Sequence, residues 1–133
     1  MRDGTGIKIW LKLGYQVAII SGRSGMAVQH RAKELGIRHV YQGSSDKRAG
    51  FAALLNSLGL KASQAAMLGD DLPDLPLMRL SGYPMAVADA VTQVRAAAQF
   101  VTAQPGGCAA VREAIEHLLN LKDRWQQAQA LFE

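Results

Sequence analysis

Apolar positions along the chain alternate between two periods. Short continuous runs recur at Gln16–Ile20 (QVAII), Arg38–Tyr41, Gln64–Leu68, Pro84–Ala88 and Gln99–Thr102, and each predicts a short buried strand. Between them the spacing is helical. Lys8–Leu13 is a short helical stretch ended by Gly14. Ser24–Leu35 predicts a helix with Ser24 as N-cap and Gly36 as stop. Lys47–Leu58 places Phe51, Leu54, Leu55 and Leu58 on one face, with Asp46 as cap and Gly59 as terminator. Leu75–Leu80 and Val91–Ala97 predict two shorter helices. After a Gly106-Gly107 hinge, Ala110 to about Ala130 predicts one long C-terminal helix.

Apolar strands separated by helices imply an α/β domain with a parallel sheet covered on both faces and right-handed crossovers. The 133 residues suffice for one domain and are too few for two. No repeat or linker divides them. In such sheets, ligands bind beyond the carboxyl ends of the strands, so the residues following each strand are the candidates for chemistry.

Composition narrows the classes. With 49% apolar and 20% charged residues the chain has enough apolar surface for a core. No apolar run approaches the roughly 18 residues that span a bilayer, and the first residues lack the pattern of a secretory signal. The single Cys108 cannot form an internal disulfide, which suits a reducing cytosol. The net charge of +4 comes from 15 basic residues dispersed among acids, with few aromatics for stacking. That pattern disfavours nucleic acid and suits a small anionic substrate.

Three strands deliver polar residues to one rim. The first is followed by Ser21-Gly22-Arg23-Ser24, the second by Gln42-Gly43-Ser44-Ser45-Asp46-Lys47, and the third by Gly69-Asp70-Asp71-Leu72-Pro73-Asp74. Taken singly, Ser21 and Ser24 read as helix caps, Lys47 as a solvated first-turn lysine, and the acids as caps of the next helix. Together they suggest more. Hydroxyls, helix-start N–H groups and an ammonium suit a phosphate. A lysine at a helix N-terminus opposes the dipole unless an anion sits beside it. Three carboxylates within five residues repel one another unless a cation, such as Mg²⁺, relieves them.

These segments, in order, resemble motifs two, three and four of the haloacid dehalogenase (HAD) phosphatase superfamily. Arg2-Asp3-Gly4, Tyr41-Gln42-Gly43, Ala86-Val87-Ala88-Asp89-Ala90 and Gly106-Gly107 with Val111-Arg112-Glu113 are similar to the 3-deoxy-D-manno-octulosonate 8-phosphate phosphatase subfamily. The resemblance implies a Rossmannoid three-layer α/β/α fold with a mostly parallel sheet. It implies a Mg²⁺-dependent phosphomonoester hydrolase acting through an aspartyl phosphate on a sugar-acid phosphate, in lipopolysaccharide precursor synthesis. It implies that Ser21 and the Gly22 N–H bind the phosphoryl group, that Lys47 neutralises its charge and fixes the nucleophile, and that Asp70 ligates Mg²⁺. Asp71 and Asp74 would orient that ligand or a bound water, and Arg23 is a candidate substrate contact. A homotetramer is the expected assembly.

The chain departs from the pattern in two places. Ala109 stands where Gly is expected after Gly106-Gly107. Motif one, a strand ending in Asp-x-Asp whose first Asp is the nucleophile, has no counterpart, and Asp3 matches the Arg-Asp-Gly instead. That strand lies in the middle of the sheet in the resembling fold. Residues 1–133 are therefore expected to form an N-terminally truncated domain with two exposed sheet edges and no significant turnover alone. A non-catalytic remnant, a partner-binding module, or a nucleophile supplied by another chain are the competing readings.

Other classes fit less well. Gly22 and Gly25 give G-x-x-G rather than the dinucleotide G-x-G-x-x-G, and no Tyr-x-x-x-Lys pair exists. A receiver domain needs its acids first and its lysine last, the reverse of the order here. Met67, Met78 and Met85 read as core, and His30, His39 and His117 as surface or satisfied residues. Trp125 and Leu131-Phe132 read as packing on the domain or on a neighbouring subunit.

Overall fold

The computed structural model describes residues 2–21, 25–43, 46–107 and 109–131. Gly22, Arg23, Ser24, Cys108 and Phe132 lie outside the described residues, so the N-cap assigned to Ser24 and the phosphate contacts assigned to Gly22 and Arg23 lie outside them too.

The first helix, α1 (Arg2–Lys12), starts well before Lys8. Glycine weakens helix propensity, which hides this segment from a periodicity reading. Packing explains the glycines. A Cβ on Gly6 would lie 3.1 Å from Arg112 Cα, and one on Gly4 would lie 3.1 Å from Leu35 Cδ2. Their absence lets α1 press against α6 (Ala110–Leu121) and α2 (Met26–Leu35).

Five short strands lie on the predicted runs, with β3 ending one residue later and β4 starting one residue earlier than read: β1 (Ala18–Ile20), β2 (His39–Tyr41), β3 (Ala66–Gly69), β4 (Tyr83–Ala86) and β5 (Phe100–Val101). All pairings are parallel. Ala18, Ile19 and Ile20 of β1 pair with His39, Val40 and Tyr41 of β2. β4 lies between β3 and β5. Among the described residues no ladder joins β1 to β3, so the strands form a sheet of two and a sheet of three.

Helices cover both faces. Ile19 and Val40 pack into a core with Ile7, Ile9, Ala32, Leu35, Ile115 and Leu119, contributed by α1, α2 and α6. On the other face, Tyr41 lies against Gly50 of α3 (Lys47–Leu58), 3.6 Å from where its Cβ would be. A second core joins Met78 of α4 (Leu75–Leu80), Ala86, Val87 and Ala90, Val94 of α5 (Thr92–Ala97), and Ala110. Helix α6 reaches both cores, since Ala110 enters one while Ile115 and Leu119 enter the other. Met78 and Met85 are buried and Met67, partly buried, packs against the second core, as read from the sequence.

The long C-terminal helix is corrected. It stops at Leu121, and a separate turn of helix, α7 (Trp125–Ala130), follows. Asp123 sits at φ 56° between them, a left-handed conformation that Asp tolerates better than most residues. The break returns Ala128 to the first core. Arg124 then donates to the Tyr15 hydroxyl at 2.8 Å and lies over its ring, which is stacked on Trp10. Trp125 packs on the domain, against the first core and below Arg112.

Candidate functional site

Helix α3 begins where the sequence places it. The Asp46 carboxylate accepts from the N–H groups of Arg48 and Ala49, and Gly59 terminates the helix at φ 66°. Lys47 is therefore fixed as the first residue of α3, at the positive end of the helix dipole. The anion that this position demands is Asp74. Lys47 Nζ donates to Asp74 Oδ1 at 2.8 Å, with the two side chains only 15% and 9% exposed.

The segment after β3 is wound to deliver that carboxylate. Residues Leu72–Asp74 form a single 3-10 turn, with Pro73 at a start position that needs no N–H. Asp71 caps this turn, accepting from Leu72 N at 2.7 Å. Asp74 folds back beneath it, and its Oδ2 accepts from Asp70 N at 2.9 Å and Asp71 N at 3.3 Å. Gly69 makes room for this, because a Cβ there would lie 3.0 Å from Asp74 Cβ and 2.7 Å from Met78 Sδ.

The three acids thus do three jobs. Asp74 is a buried clamp, Asp71 is a cap, and Asp70 is left exposed at the carboxyl end of β3. Their titration follows this division. For Asp74, burial pushes the carboxyl up, but the bonds from Lys47 and from the Asp70 and Asp71 segment outweigh it and hold it below the ordinary value. Asp70 is raised, first by hydrogen bonding with the Asp74 carboxyl, then by burial and by the charges of Asp74 and Asp71, with Lys47 opposing.

Ser21 follows β1, and its N–H donates to Tyr41 O at 2.8 Å, so the ends of β1 and β2 lie side by side. The structure therefore joins Ser21 to the β2 end, and Lys47 to the acids after β3. The next wall of the rim was not read from the sequence. Val91 N donates to Asp70 O at 3.1 Å. The turn after β5 is held by Glu113, which accepts from Ala103 N and Gln104 N, and by Asp89, which accepts from Gly106 N. Thr102, almost fully buried, links this turn to Ala88. The matches at Ala88-Asp89 and Glu113 carried this signal without revealing its purpose.

Residues 36–115 match the haloacid dehalogenase-like hydrolase family. The chain is 41% identical over 131 residues to the 3-deoxy-D-manno-octulosonate 8-phosphate phosphatase KdsC of Yersinia pestis, covering 98% of this chain and 70% of the relative. The chain belongs to the haloacid dehalogenase-like hydrolases. Among HAD structures it is similar to the 3-deoxy-D-manno-octulosonate 8-phosphate phosphatase of Moraxella catarrhalis, crystallised with magnesium, phosphate and KDO. That match has a TM-score of 0.95 and 39% identity, covering 99% of this chain and 76% of the other. It is also similar to the cobalt-bound Haemophilus influenzae phosphatase, at TM-score 0.94 and 34% identity over 100% of this chain and 80% of that one. The α/β fold with parallel strands is the HAD fold.

The HAD rim has a donor set suited to Mg²⁺. Among the described residues no cluster of three or more metal-ligating side chains forms. Mg²⁺ does not need one, since it keeps several waters and takes one or two carboxylates together with phosphate oxygens. Asp70, exposed and pushed toward protonation by its acidic neighbours, offers such a carboxylate. Among the described residues no helix is long and apolar enough to cross a membrane.

Proposed function

We propose that the protein hydrolyses a sugar-acid phosphate monoester of the 3-deoxy-D-manno-octulosonate 8-phosphate type, in the cytoplasm, as a step toward lipopolysaccharide precursors. The observation that carries this reading is the Lys47–Asp74 ion pair at the rim, beside the exposed Asp70 carboxylate. It is supported by relatives whose names state that activity. Phosphoryl transfer is catalysed mostly by positioning and charge stabilisation, and this rim supplies both.

In this reading Asp74 holds the Lys47 ammonium so that its remaining N–H groups face the phosphoryl oxygens. Ser21 and the Gly22 N–H bind the same group, with Arg23 toward the substrate. Asp70 would hold Mg²⁺, with Asp71 and Asp74 in support, and the ion would neutralise charge on the phosphate oxygens. The nucleophilic Asp and the acid–base Asp belong to a strand ending in Asp-x-Asp, a motif that residues 1–133 do not contain. In this reading that strand would lie between β1 and β3, which no ladder joins among the described residues. In this reading residues 1–133 supply the phosphate-binding rim, and the working enzyme would be a homo-oligomer.

The test is phosphate release from 3-deoxy-D-manno-octulosonate 8-phosphate with Mg²⁺. A version carrying an Asp-x-Asp strand ahead of Arg2 should turn over and should lose activity on Lys47→Ala. Residues 1–133 alone should not turn over. Robust Asp70-dependent turnover by residues 1–133 would place the nucleophile elsewhere.

A further inference from the structure

Gln42 carries a group that the fold does not use. Both polar atoms of its carboxamide, Oε1 and Nε2, are buried and have no hydrogen-bond partner among the described residues. Buried amides are almost always satisfied, because an unmet donor or acceptor costs stability without return. An orphan of this kind calls for a partner that arrives later.

The backbone says where the partner belongs. β1 and β2 run in parallel register, with Ile20 opposite Tyr41. The register continues one step, because Ser21 N donates to Tyr41 O at 2.8 Å, the bond that sets Ser21 opposite Gln42. Side chains alternate along a strand. Tyr41 faces Gly50 of α3, whereas Val40 faces the α1–α2 core. Gln42 therefore lies on the Val40 face, in register with Ser21. Both stand at the carboxyl ends of their strands, where the proposed phosphate binds.

We propose that Gln42 is a positioning residue that acts through Ser21. This rests on the rim being a phosphate site. A serine hydroxyl has one proton to give and lone pairs to accept with. When phosphate occupies the rim, Gln42 Nε2–H donates to Ser21 Oγ. The Ser21 hydroxyl proton is thereby aimed at a phosphate oxygen rather than at the protein. Oε1 remains to accept from a hydroxyl of the bound molecule, a group that the sugar part of a sugar-acid phosphate carries. The stability forgone in the free protein is recovered in the loaded site.

The experiment measures the affinity of the protein for inorganic phosphate with Mg²⁺, by calorimetry and by the phosphate-induced rise in melting temperature. Gln42→Met keeps the volume and removes both polar atoms, and Gln42→Leu is a second apolar variant. Each should leave the melting temperature of the phosphate-free protein unchanged or higher, and should weaken phosphate binding about fivefold or more. In a Ser21→Ala background Gln42→Met should weaken it no further. Unchanged phosphate affinity overturns the proposal. So does a lower melting temperature without phosphate, which would make the carboxamide part of the fold, and so does an additive loss in the Ser21→Ala background. Lys47→Ala tests the underlying reading separately. If it leaves phosphate binding intact, or if the unaltered protein binds none, the rim is not a phosphate site and the role of Gln42 falls with it.

Discussion

Lys47 Nζ and Asp74 Oδ1 meet at 2.8 Å across 27 residues of sequence, and this bond ties the start of α3 to the turn after β3. It spans the division between the two parallel sheets, which no ladder joins among the described residues. One contact thus serves two levels at once: it braces α3 against the turn after β3 and holds the ammonium in place at the rim.

A mostly buried pair is costly to break from one side, because the surviving charge is left without a partner. Lys47→Met and Asp74→Asn should each destabilise the protein by about 1–3 kcal/mol in urea denaturation. The double variant should cost less than the sum, with a coupling above about 1 kcal/mol. Additive losses would show that the pair braces nothing.

Acid affects the two neighbouring carboxyls with opposite sign. The Asp74 carboxyl is held below its ordinary value, so its stabilising contribution is present above about pH 3.9 and is lost as pH falls through its lowered pKa. The Asp70 carboxyl is raised, so the fold gains from its protonation and loses stability as pH rises from about 3.9 through the raised pKa. Denaturation curves across this window should show Asp70→Asn flattening the decline. An identical pH profile for Asp70→Asn and the unaltered protein would contradict the crowding of these acids.

Gly69 is a steric requirement rather than a flexible joint. A methyl group there would press on Met78 Sδ and Asp74 Cβ. Gly69→Ala should cost about 1–3 kcal/mol by overpacking, and should weaken Mg²⁺-dependent phosphate binding by displacing Asp74. A variant with full stability and full binding would show that the turn tolerates the shift.

Ala109 stands at φ 71°, in the left-handed region that favours glycine. Ala109→Gly should raise stability by about 0.5–1 kcal/mol, the relief of strain exceeding the entropy that glycine adds to the unfolded chain. Urea titration with an unchanged slope would measure this. A loss of stability would mean that the methyl group packs better than its backbone suffers.

Much of this was legible in the residues. Asp46 and Gly59 marked both ends of α3, because a cap and a left-handed stop are local signals. The strands showed as short apolar runs for the same local reason. Helix α1 was under-read because Gly4 and Gly6 weaken the pattern while serving contacts with Arg112 and Leu35 far along the chain. The break at Asp123 carried neither Gly nor Pro, so one helix was expected where two form. At the rim, composition identified the three acids but spacing did not separate their jobs. The clamp, the cap and the exposed carboxylate differ only in what reaches them, and Lys47 reaches Asp74 from the preceding helix. The need for an anion beside Lys47 was readable from the dipole; which residue met it was not.

The most direct measurement is a calorimetric titration of residues 1–133 with 3-deoxy-D-manno-octulosonate 8-phosphate in the presence of Mg²⁺. Saturable one-to-one binding, weakened at least tenfold by Lys47→Ala, is the expected result. No binding, or binding that Lys47→Ala leaves unchanged, would contradict the assignment of this rim to a sugar-acid phosphate.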